Sequence, residues 1–352
     1  MGGISMNIKT PKTELNYLRI IFCLIIITTH ILTEYTLNYQ PDDKQIKVIY
    51  WIRMAIIFGT PGFIMLSQLL VTMNYKAALP KNYLSSRFSF IVVPYLIIGL
   101  FYSLSESQAN GHTYWHEFMF AVVSGNWHGY FVIVIVQFFL LNLIVYKYFP
   151  GLLGSKLAVV AAFAVNTAYL FAHNTIEPFR QFMAAYYPLS PDTFILGWIS
   201  YYFIGSYIGL NYERFLTFVK EHTTVVIIMA IASYMLFIVI KQHDYWDVSS
   251  FNYATILFTA CMFLLMLRVS TTMTSFMPKT AAQISAYSFF IYLFHPLILD
   301  AVYNYTSRFQ EHTILFISTS IIIVLGCCIG VGTLLRDFPI FKYVIGKQPY
   351  KL

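Results

Sequence analysis

Long apolar stretches separated by short polar segments are the feature that most constrains the fold of this chain. Divided at its charges and turn residues, the sequence contains ten such stretches, each close to the roughly 20 residues that a helix needs to cross a membrane. They lie near residues 15–36, 46–73, 88–105, 127–148, 156–173, 193–212, 223–241, 252–268, 281–303 and 313–335. Only 11% of the 352 residues are charged, too few to cover the surface of a soluble globule. The sequence therefore predicts an all-α, polytopic membrane bundle of about ten transmembrane helices.

Lysine and arginine are distributed unevenly between the two sides of these predicted helices. Sixteen of the 22 lie on the side of the N-terminus and six on the other side. Because cytoplasmic loops carry the excess of positive charge, both termini are expected in the cytoplasm. Eleven of the 15 acidic residues lie on or toward the outer side, which indicates either an outward-facing polar chamber or simply solvated loops. We expect one membrane domain over residues 1–352, with a cytoplasmic leader at 1–14 and a cytoplasmic tail at 336–352.

Two further patterns bear on the loops and on metals. The stretch 106–126 is too polar to span a membrane, and it predicts a loop with a short interfacial or re-entrant helix. The four cysteines lie in apolar runs, and their spacing to one another and to histidine is not typical of a metal site. No metal is therefore expected.

Arg19 and His30 lie within the first apolar stretch, where ionisable side chains are costly and are functional by default. Their separation of eleven residues is close to three helical turns, so both project from one face, about 16 Å apart. Arginine binds phosphates through a planar fork, and a neutral imidazole accepts a proton near physiological pH. The pair predicts a path with an anion at one end and a base further along. The alternative is an arginine that reaches the interface and a histidine that hydrogen-bonds a neighbouring helix.

Two prolines mark irregular points in other stretches. His295 precedes Pro296, which frees the carbonyl one turn earlier and bends the helix, so His295 is expected at a kink. Arg53 is followed by the pair Pro61–Gly62, which predicts a break in the second stretch.

Other polar residues have simpler interpretations beside the functional one. Ser67 and Gln68 are polar inside an apolar stretch, where hydrogen bonding between helices is the commoner role. Glu106 is either a carboxylate that orients a histidine or a solvated loop acid. Trp127 and His128 begin the fourth stretch, where an aromatic belt at the membrane interface explains them equally well.

Four segments together resemble the acyltransferase-3 family of integral-membrane O-acyltransferases. They are the Arg19-to-His30 pattern on the first helix, PGFIMLSQLL on the second, NWHGYFVIVIVQFFLL on the fourth and SAYSFFIYLFHPLILD on the ninth. In this order they cover nearly the whole chain. Within the family, the runs YLRIIFCLIIITTHILTEYTL, IFGTPGFIMLSQLL, YYPLSPDTFILGWI and FKYVIGKQPYKL are similar to one member. That member is described both as an exporter of the biofilm polysaccharide poly-β-1,6-N-acetylglucosamine and as its O-succinyltransferase.

The resemblance implies O-acylation of this polysaccharide in the bacterial plasma membrane, with no bound cofactor. The co-substrate would be an acyl-CoA, either succinyl-CoA or acetyl-CoA, and a membrane polysaccharide synthase is a further candidate partner beside the membrane lipids. Arg19 and Arg87 would hold the donor phosphates through charge-assisted hydrogen bonds. His30 would deprotonate a sugar hydroxyl, with Glu106 or another outer acid to orient it.

The resemblance assigns the acceptor to a separate set of residues, which are Arg53, Trp127 and His295. Arg53 is also the candidate partner for the carboxylate of a succinyl group. One departure concerns the donor, because many family members carry an Arg-x-x-Arg pair before a proline at the start of the third helix. Here SRFSFIVVPY retains Arg87 but has Phe90 in the second position, so the donor would be held differently or with fewer charges.

Two rival hypotheses remain. The first is a conduit for the growing polysaccharide, which the aromatic-rich outer loops favour, and the second is a non-catalytic subunit of the synthase. His30 discriminates among them, since an acyltransferase needs it chemically whereas a conduit or a scaffold should tolerate asparagine or glutamine there.

Overall fold

The computed structural model describes residues 12–39, 42–241, 248–306, 309 and 312–346, and within them the chain is all helical. The helices of the first half are α1 (Thr13–Tyr39), α2 (Asp43–Ile56), α3 (Gly59–Asn74), α4 (Tyr83–Asn110), α5 (Tyr114–Glu117), α6 (Tyr130–Tyr148) and α7 (Lys156–Thr175). Those of the second half are α8 (Glu177–Tyr186), α9 (Ile199–Leu210), α10 (Tyr212–Glu221), α11 (Thr223–Ile240), α12 (Thr255–Thr272), α13 (Pro278–Thr306), α14 (Thr313–Arg336) and α15 (Lys342–Ile345). Most of the predicted leader, residues 1–11, and the end of the predicted tail, residues 347–352, lie outside the described residues.

Nine helical stretches of the described residues are long and apolar enough to cross a membrane, one fewer than the ten predicted. The difference lies at 193–212, where α9 has only 12 residues and follows short 3₁₀ turns at Pro191–Thr193 and Ile195–Gly197. Much of α9 is buried against α3 and α7, so its length need not match the thickness of lipid. The prediction of a full-length sixth span was therefore wrong, because apolar content here reflects burial in protein.

The predicted break in the second span is confirmed. α2 ends at Ile56 and α3 begins at Gly59, which places Pro61 in the first turn of α3. Proline is tolerated there because the first N–H groups of a helix have no helical partner. Gly62 follows it and leaves room for the Phe22 ring of α1, which a side chain at this position would meet.

The segment 106–126 contains the short helix that its polarity predicted. α5 begins after Thr113, whose side chain accepts a hydrogen bond from the His116 N–H, and it continues as a π-helix over Phe118–Val123. The Tyr95 hydroxyl of α4 donates to the Val122 carbonyl at 2.5 Å, which fixes this segment against the bundle.

Contacts at the two ends of α1 define the two faces of the molecule. Near its start, the Tyr17 hydroxyl donates to the Phe276 carbonyl at 2.5 Å, and Lys12 pairs with Glu213. Near its end, the Tyr35 hydroxyl lies 3.4 Å from the Thr313 hydroxyl. We name the face at which α1 begins the basic face and the opposite one the acidic face, after the predicted distribution of charge.

A buried polar network joins α3, α6 and α9. The Gln68 amide donates to the Asn142 carbonyl oxygen and to the Ser206 hydroxyl, each at 3.0 Å, and the Asn142 amide donates back to Gln68 at 3.0 Å. The Tyr202 hydroxyl completes the network with a 2.9 Å bond to Asn142. Polar side chains buried among apolar helices are stabilising only when they are partnered in this way. The predicted packing role of Gln68 is confirmed.

Candidate functional site

α1 and α13 lie side by side and run in the same direction, and this arrangement positions the two ionisable residues of α1. Near the basic face the Arg19 guanidinium donates to the Ser285 hydroxyl at 3.3 Å, and it lies 3.5 Å from the Asn16 side-chain oxygen. Eleven residues further along, the His30 ring lies 5.0 Å from the His295 ring. Both side chains therefore face α13, as the helical period predicted.

Three imidazole rings meet at the His30 end of this helix pair. The centroid of the His128 ring lies 6.0 Å from that of His30 and 5.8 Å from that of His295, which closes a triangle with the 5.0 Å contact between His30 and His295. His295 is completely buried, whereas His30 is partly accessible. We name this set the histidine cluster. It brings together two predicted site residues and adds a third histidine.

The His-Pro sequence fixes the protonation of His295. Pro296 has no N–H to give to the carbonyl of Tyr292, one turn earlier, and the His295 Nδ1 lies 2.8 Å from that oxygen. A ring nitrogen this close to a carbonyl oxygen must be the protonated one, so Nε2 is left as a hydrogen-bond acceptor. This Nε2 is buried and has no hydrogen-bond partner among the described residues. His295 therefore presents a basic nitrogen at the cluster.

The turn of α13 that precedes His295 also holds His128 in place. The Tyr292 hydroxyl donates to the backbone carbonyl of His128 at 2.5 Å, and the His128 Nε2 lies 3.3 Å from the Leu293 carbonyl. The sequence alone did not place His128 at the site, because its position next to Trp127 suggested an interfacial belt. The signal was present in the NWHGY segment that carries the family resemblance.

Trp127 forms a wall beside the cluster. Its indole N–H donates to the Tyr95 hydroxyl at 2.9 Å, so the polar atom of the ring is already used. The indole lies 4.5 Å from the His128 ring and 5.0 Å from the Tyr102 ring, measured between centroids. Trp127 is itself buried, so it shapes one side of the cluster and has no free donor.

Arg53 brings a positive charge to the cluster from α2. It lies in the last turn of that helix and is buried, with a relative exposure of 8%. It interacts electrostatically with His30. Its Nε is buried and has no hydrogen-bond partner in the described residues. A buried guanidinium with an unused N–H is suited to bind an anionic or strongly polar group.

Glu106 lies among carboxylates on the acidic face. Its carboxylate accepts a 3.1 Å bond from the Asn110 amide, and it also interacts with the Tyr102 hydroxyl. Glu34, one turn after His30, interacts electrostatically with Glu106 and with Asp300. The rings next to His30 belong to histidines, so orientation of His30 by Glu106 stays a prediction.

Arg19 and Arg87 line a common cavity of about 320 Å³ at the basic face. Four serines, Ser67, Ser86, Ser285 and Ser288, also line it. The Arg87 guanidinium lies over the aromatic rings of Tyr83 and Phe139, 5.3 and 5.4 Å from their centroids. Two cations and four serine hydroxyls in one cavity are suited to a phosphorylated ligand.

Two aromatic residues in the lining of this cavity stack on rings outside it. Phe90, which stands where many family members have a second arginine, lines the cavity and stacks on Tyr343 near the C-terminus, with the ring centroids 5.8 Å apart. At the inner end Phe63 stacks on Tyr292, 6.2 Å away, and Tyr292 in turn holds His128. Phe63 and Tyr292 thus connect the lining of the cavity to the histidine cluster.

A second cavity, of about 610 Å³, opens near the carboxyl end of α7. It is lined by His173, whose two ring nitrogens have no hydrogen-bond partner among the described residues, and by Asn174, Phe251 and Tyr253. The Ser250 hydroxyl beside it lies 3.3 Å from that of Tyr130, two residues after His128. This cavity shares no residue with the first one and lies on the acidic face.

The class of protein follows from this fold and from comparison with known families. Residues 12–333 match the acyltransferase-3 family, which is described as an acyltransferase domain. The chain belongs to this family. No solved structure matches it.

Two relatives are similar over almost their whole length. A Staphylococcus epidermidis protein named "Probable poly-beta-1,6-N-acetyl-D-glucosamine export protein" is 49% identical over 345 residues, which cover 98% of this chain and 97% of the relative. A Staphylococcus aureus (strain MRSA252) protein of the same name is 43% identical over 345 residues, which cover 98% of each chain.

Proposed function

We propose that this chain is a membrane O-acyltransferase that moves a succinyl or acetyl group from acyl-CoA to a hydroxyl of poly-β-1,6-N-acetylglucosamine. One observation carries the proposal. A cavity with Arg19 and Arg87 lies at the basic face, and the histidine cluster lies further along the same pair of helices. The names of the relatives support this substrate, and the family supports the acyl chemistry.

The donor would bind from the basic face, which the positive-inside rule assigns to the cytoplasm. Arg19 and Arg87 would pair with the phosphates of the nucleotide. The acyl arm would then pass the Phe63–Tyr292 pair and present the thioester carbonyl to the histidine cluster. Since Arg19 and His30 are separated by about 16 Å of helix, an extended pantetheine arm is the part of the donor that must bridge them.

Acyl transfer at the cluster would follow general-base chemistry. His30 would take the proton of the sugar hydroxyl while the oxygen attacks the thioester carbonyl, and a new carbon–oxygen bond would form. The carbon–sulfur bond would then break, and the proton would pass from the imidazole to the departing thiolate of CoA. Arg53, which interacts electrostatically with His30, would pair with the carboxylate of a succinyl group, and Trp127 would contact the sugar beside His128.

Export without catalysis is the second candidate function, because the relatives carry the name of an export protein. The polymer would then pass between the helices, and no residue would need to exchange a proton with it. Substitutions at His30 separate the two functions, since glutamine retains polarity and size there but is not a base.

The experiment compares cells that carry the wild type, His30→Ala, His30→Gln and the control His222→Ala at equal levels in the membrane. His222 is an exposed histidine on the basic face, away from the cluster. NMR of the isolated polymer measures the ester-linked acyl groups, and surface and intracellular polymer are quantified separately. We expect both His30 variants to lose the esters while polymer still reaches the surface. Esters that persist in both variants would overturn the proposal, and polymer trapped inside the cells would favour export.

A further inference from the structure

A second group of histidines lies outside the histidine cluster, on the polar connection between α4 and α6. His112, His116 and Glu117 offer two ring nitrogens and a carboxylate oxygen that all lie within 4.8 Å of one another. The spacing of cysteine and histidine in the sequence did not predict a metal site. The three side chains come together only because of the turn before α5.

The turn brings these three side chains together through its own hydrogen bonds. Thr113 caps α5, since its hydroxyl accepts from the His116 N–H at 3.4 Å and its carbonyl accepts from the Glu117 N–H at 3.1 Å. His112, just before the cap, then lies beside the side chain of Glu117, with its Nδ1 2.6 Å from Oε1. The His116 Nδ1 lies 3.9 Å from the same oxygen.

The 2.6 Å contact between His112 and Glu117 has the length of a short hydrogen bond, and a bound divalent ion would take its place. In a tetrahedral site with ligands at 2.0–2.1 Å, neighbouring donor atoms lie about 3.3 Å apart. The observed separations of 2.6 and 3.9 Å fall on either side of this value, so small rotations of the two rings would satisfy it. A hydrogen bond to Glu117 involves only one of the two histidines, whereas an ion would engage both.

One of the three side chains is buried and the other two are exposed, an arrangement that lets an ion reach the site from water. The Glu117 side chain is only 6% exposed, while those of His112 and His116 are 56% and 57% exposed. The buried carboxylate supplies a fixed negative ligand, and the imidazoles leave a path from water. The His116 ring also stacks on Phe120, nearly parallel at 10°, which restrains its orientation.

We propose that His112, His116 and Glu117 bind one divalent transition-metal ion of the Zn²⁺ class, with water in the remaining position. Two imidazoles and a carboxylate form a ligand set that Zn²⁺ prefers. The ion would also brace the histidine cluster, because Glu117 interacts electrostatically with Tyr102, whose ring lies 5.4 Å from that of His128. This inference does not depend on the proposed acyltransferase activity.

The test uses the full chain, purified in detergent through a tag that contains no histidine and stripped of metal with a chelator. Zn²⁺ is titrated calorimetrically, and Co²⁺ is used as a spectroscopic probe of tetrahedral nitrogen and oxygen ligands. We expect one ion per chain, and at least tenfold weaker binding in His116→Ala and in Glu117→Gln. The control His222→Ala should bind as the wild type does.

A second measurement guards against a folding defect in the variants. Zn²⁺ should raise the Tm of the wild type, since a ligand that binds only the folded state stabilises it, and it should not raise the Tm of Glu117→Gln. The proposal is overturned if the wild type binds no stoichiometric ion, or if both variants bind Zn²⁺ as tightly as the wild type. It is also overturned if His30→Ala abolishes binding while His116→Ala retains it, since the ion would then belong to the histidine cluster.

Discussion

The imidazole rings of His30 and His295 lie 5.0 Å apart across the α1–α13 interface, and the two residues reach this contact for different reasons. His30 faces α13 because it lies three turns after Arg19 on the same side of α1. His295 is oriented by the carbonyl that Pro296 leaves free, which fixes its Nδ1 and leaves the buried Nε2 without a hydrogen-bond partner among the described residues. His30 is thus partly accessible, whereas His295 is held in one orientation.

His128 is the member of the cluster that we expect to position the others. Replacing it with glutamine should lower kcat by about 100-fold, because small displacements of reacting groups have effects of this size. The KM for acyl-CoA should change little, since the donor cavity does not include His128. Steady-state transfer assays of His128→Gln and of the wild type measure kcat and the KM for acyl-CoA. An unchanged kcat would show that His128 does not contribute to catalysis.

Arg87 is predicted to act on the donor. Arg87→Ala should raise the KM for acyl-CoA by about 10- to 100-fold, the range expected for the loss of a hydrogen bond between charged groups, with little change in kcat. Lys147→Ala is a matched control, since Lys147 is also on the basic face but lies over the neighbouring Tyr148 ring. A truncated donor that lacks the nucleotide phosphates should be transferred equally by Arg87→Ala and wild type. A large loss with this donor as well would contradict a phosphate-binding role.

Arg53 is predicted to select the acyl group. Its buried guanidinium should stabilise a succinyl carboxylate, so Arg53→Gln should lower kcat/KM for succinyl-CoA by about 10- to 100-fold. Acetyl-CoA has no carboxylate, and its transfer should fall much less. Arg53→Lys keeps the charge but not the planar fork. Its kcat/KM for succinyl-CoA should therefore lie between those of the wild type and Arg53→Gln. Competition between the two donors in one reaction measures the ratio directly, and equal losses for both would rule out selection by Arg53.

Two glycines allow the short helix α9 to pack closely on α3. A Cβ at Gly205 or at Gly209 would lie 2.5 Å from the carbonyl oxygen of Met65 or of Leu69, respectively. Gly209→Ala should therefore lower the free energy of unfolding by about 1–3 kcal/mol, the usual effect of overpacking. Gly326→Ala in α14 is the control, because open space surrounds that position. Thermal unfolding in detergent compares them, and equal Tm values would show that α3 and α9 are not tightly packed.

The sequence predicted the elements of this site better than their assembly. The helical period placed Arg19 and His30 on one face, and the His-Pro pair predicted a free carbonyl near His295. Both inferences depend only on neighbours along the chain. The sequence also named Arg53 as a candidate, but its place beside the cluster, and that of His128, depends on how α2, α6 and α13 pack together, which no local pattern contains.

The same distinction explains the error at 193–212. Hydropathy reports that residues avoid water, and it cannot tell whether lipid or protein replaces the water. Ser200, Ser206 and Gly209, all buried in α9, are small or polar residues that suit close contact with other helices. In this segment, apolar composition was a sign of packing inside the bundle.

The most direct test measures transfer by the purified protein. Wild type, His30→Gln and the control His222→Ala are reconstituted in vesicles with labelled succinyl-CoA or acetyl-CoA and poly-β-1,6-N-acetylglucosamine oligomers. Free CoA thiol and labelled ester on the sugar are followed together. We predict that wild type and His222→Ala each release one free thiol for every ester formed, at the same rate, and that His30→Gln is slower by about 10²- to 10⁴-fold. Transfer by His30→Gln at the wild-type rate would contradict this prediction.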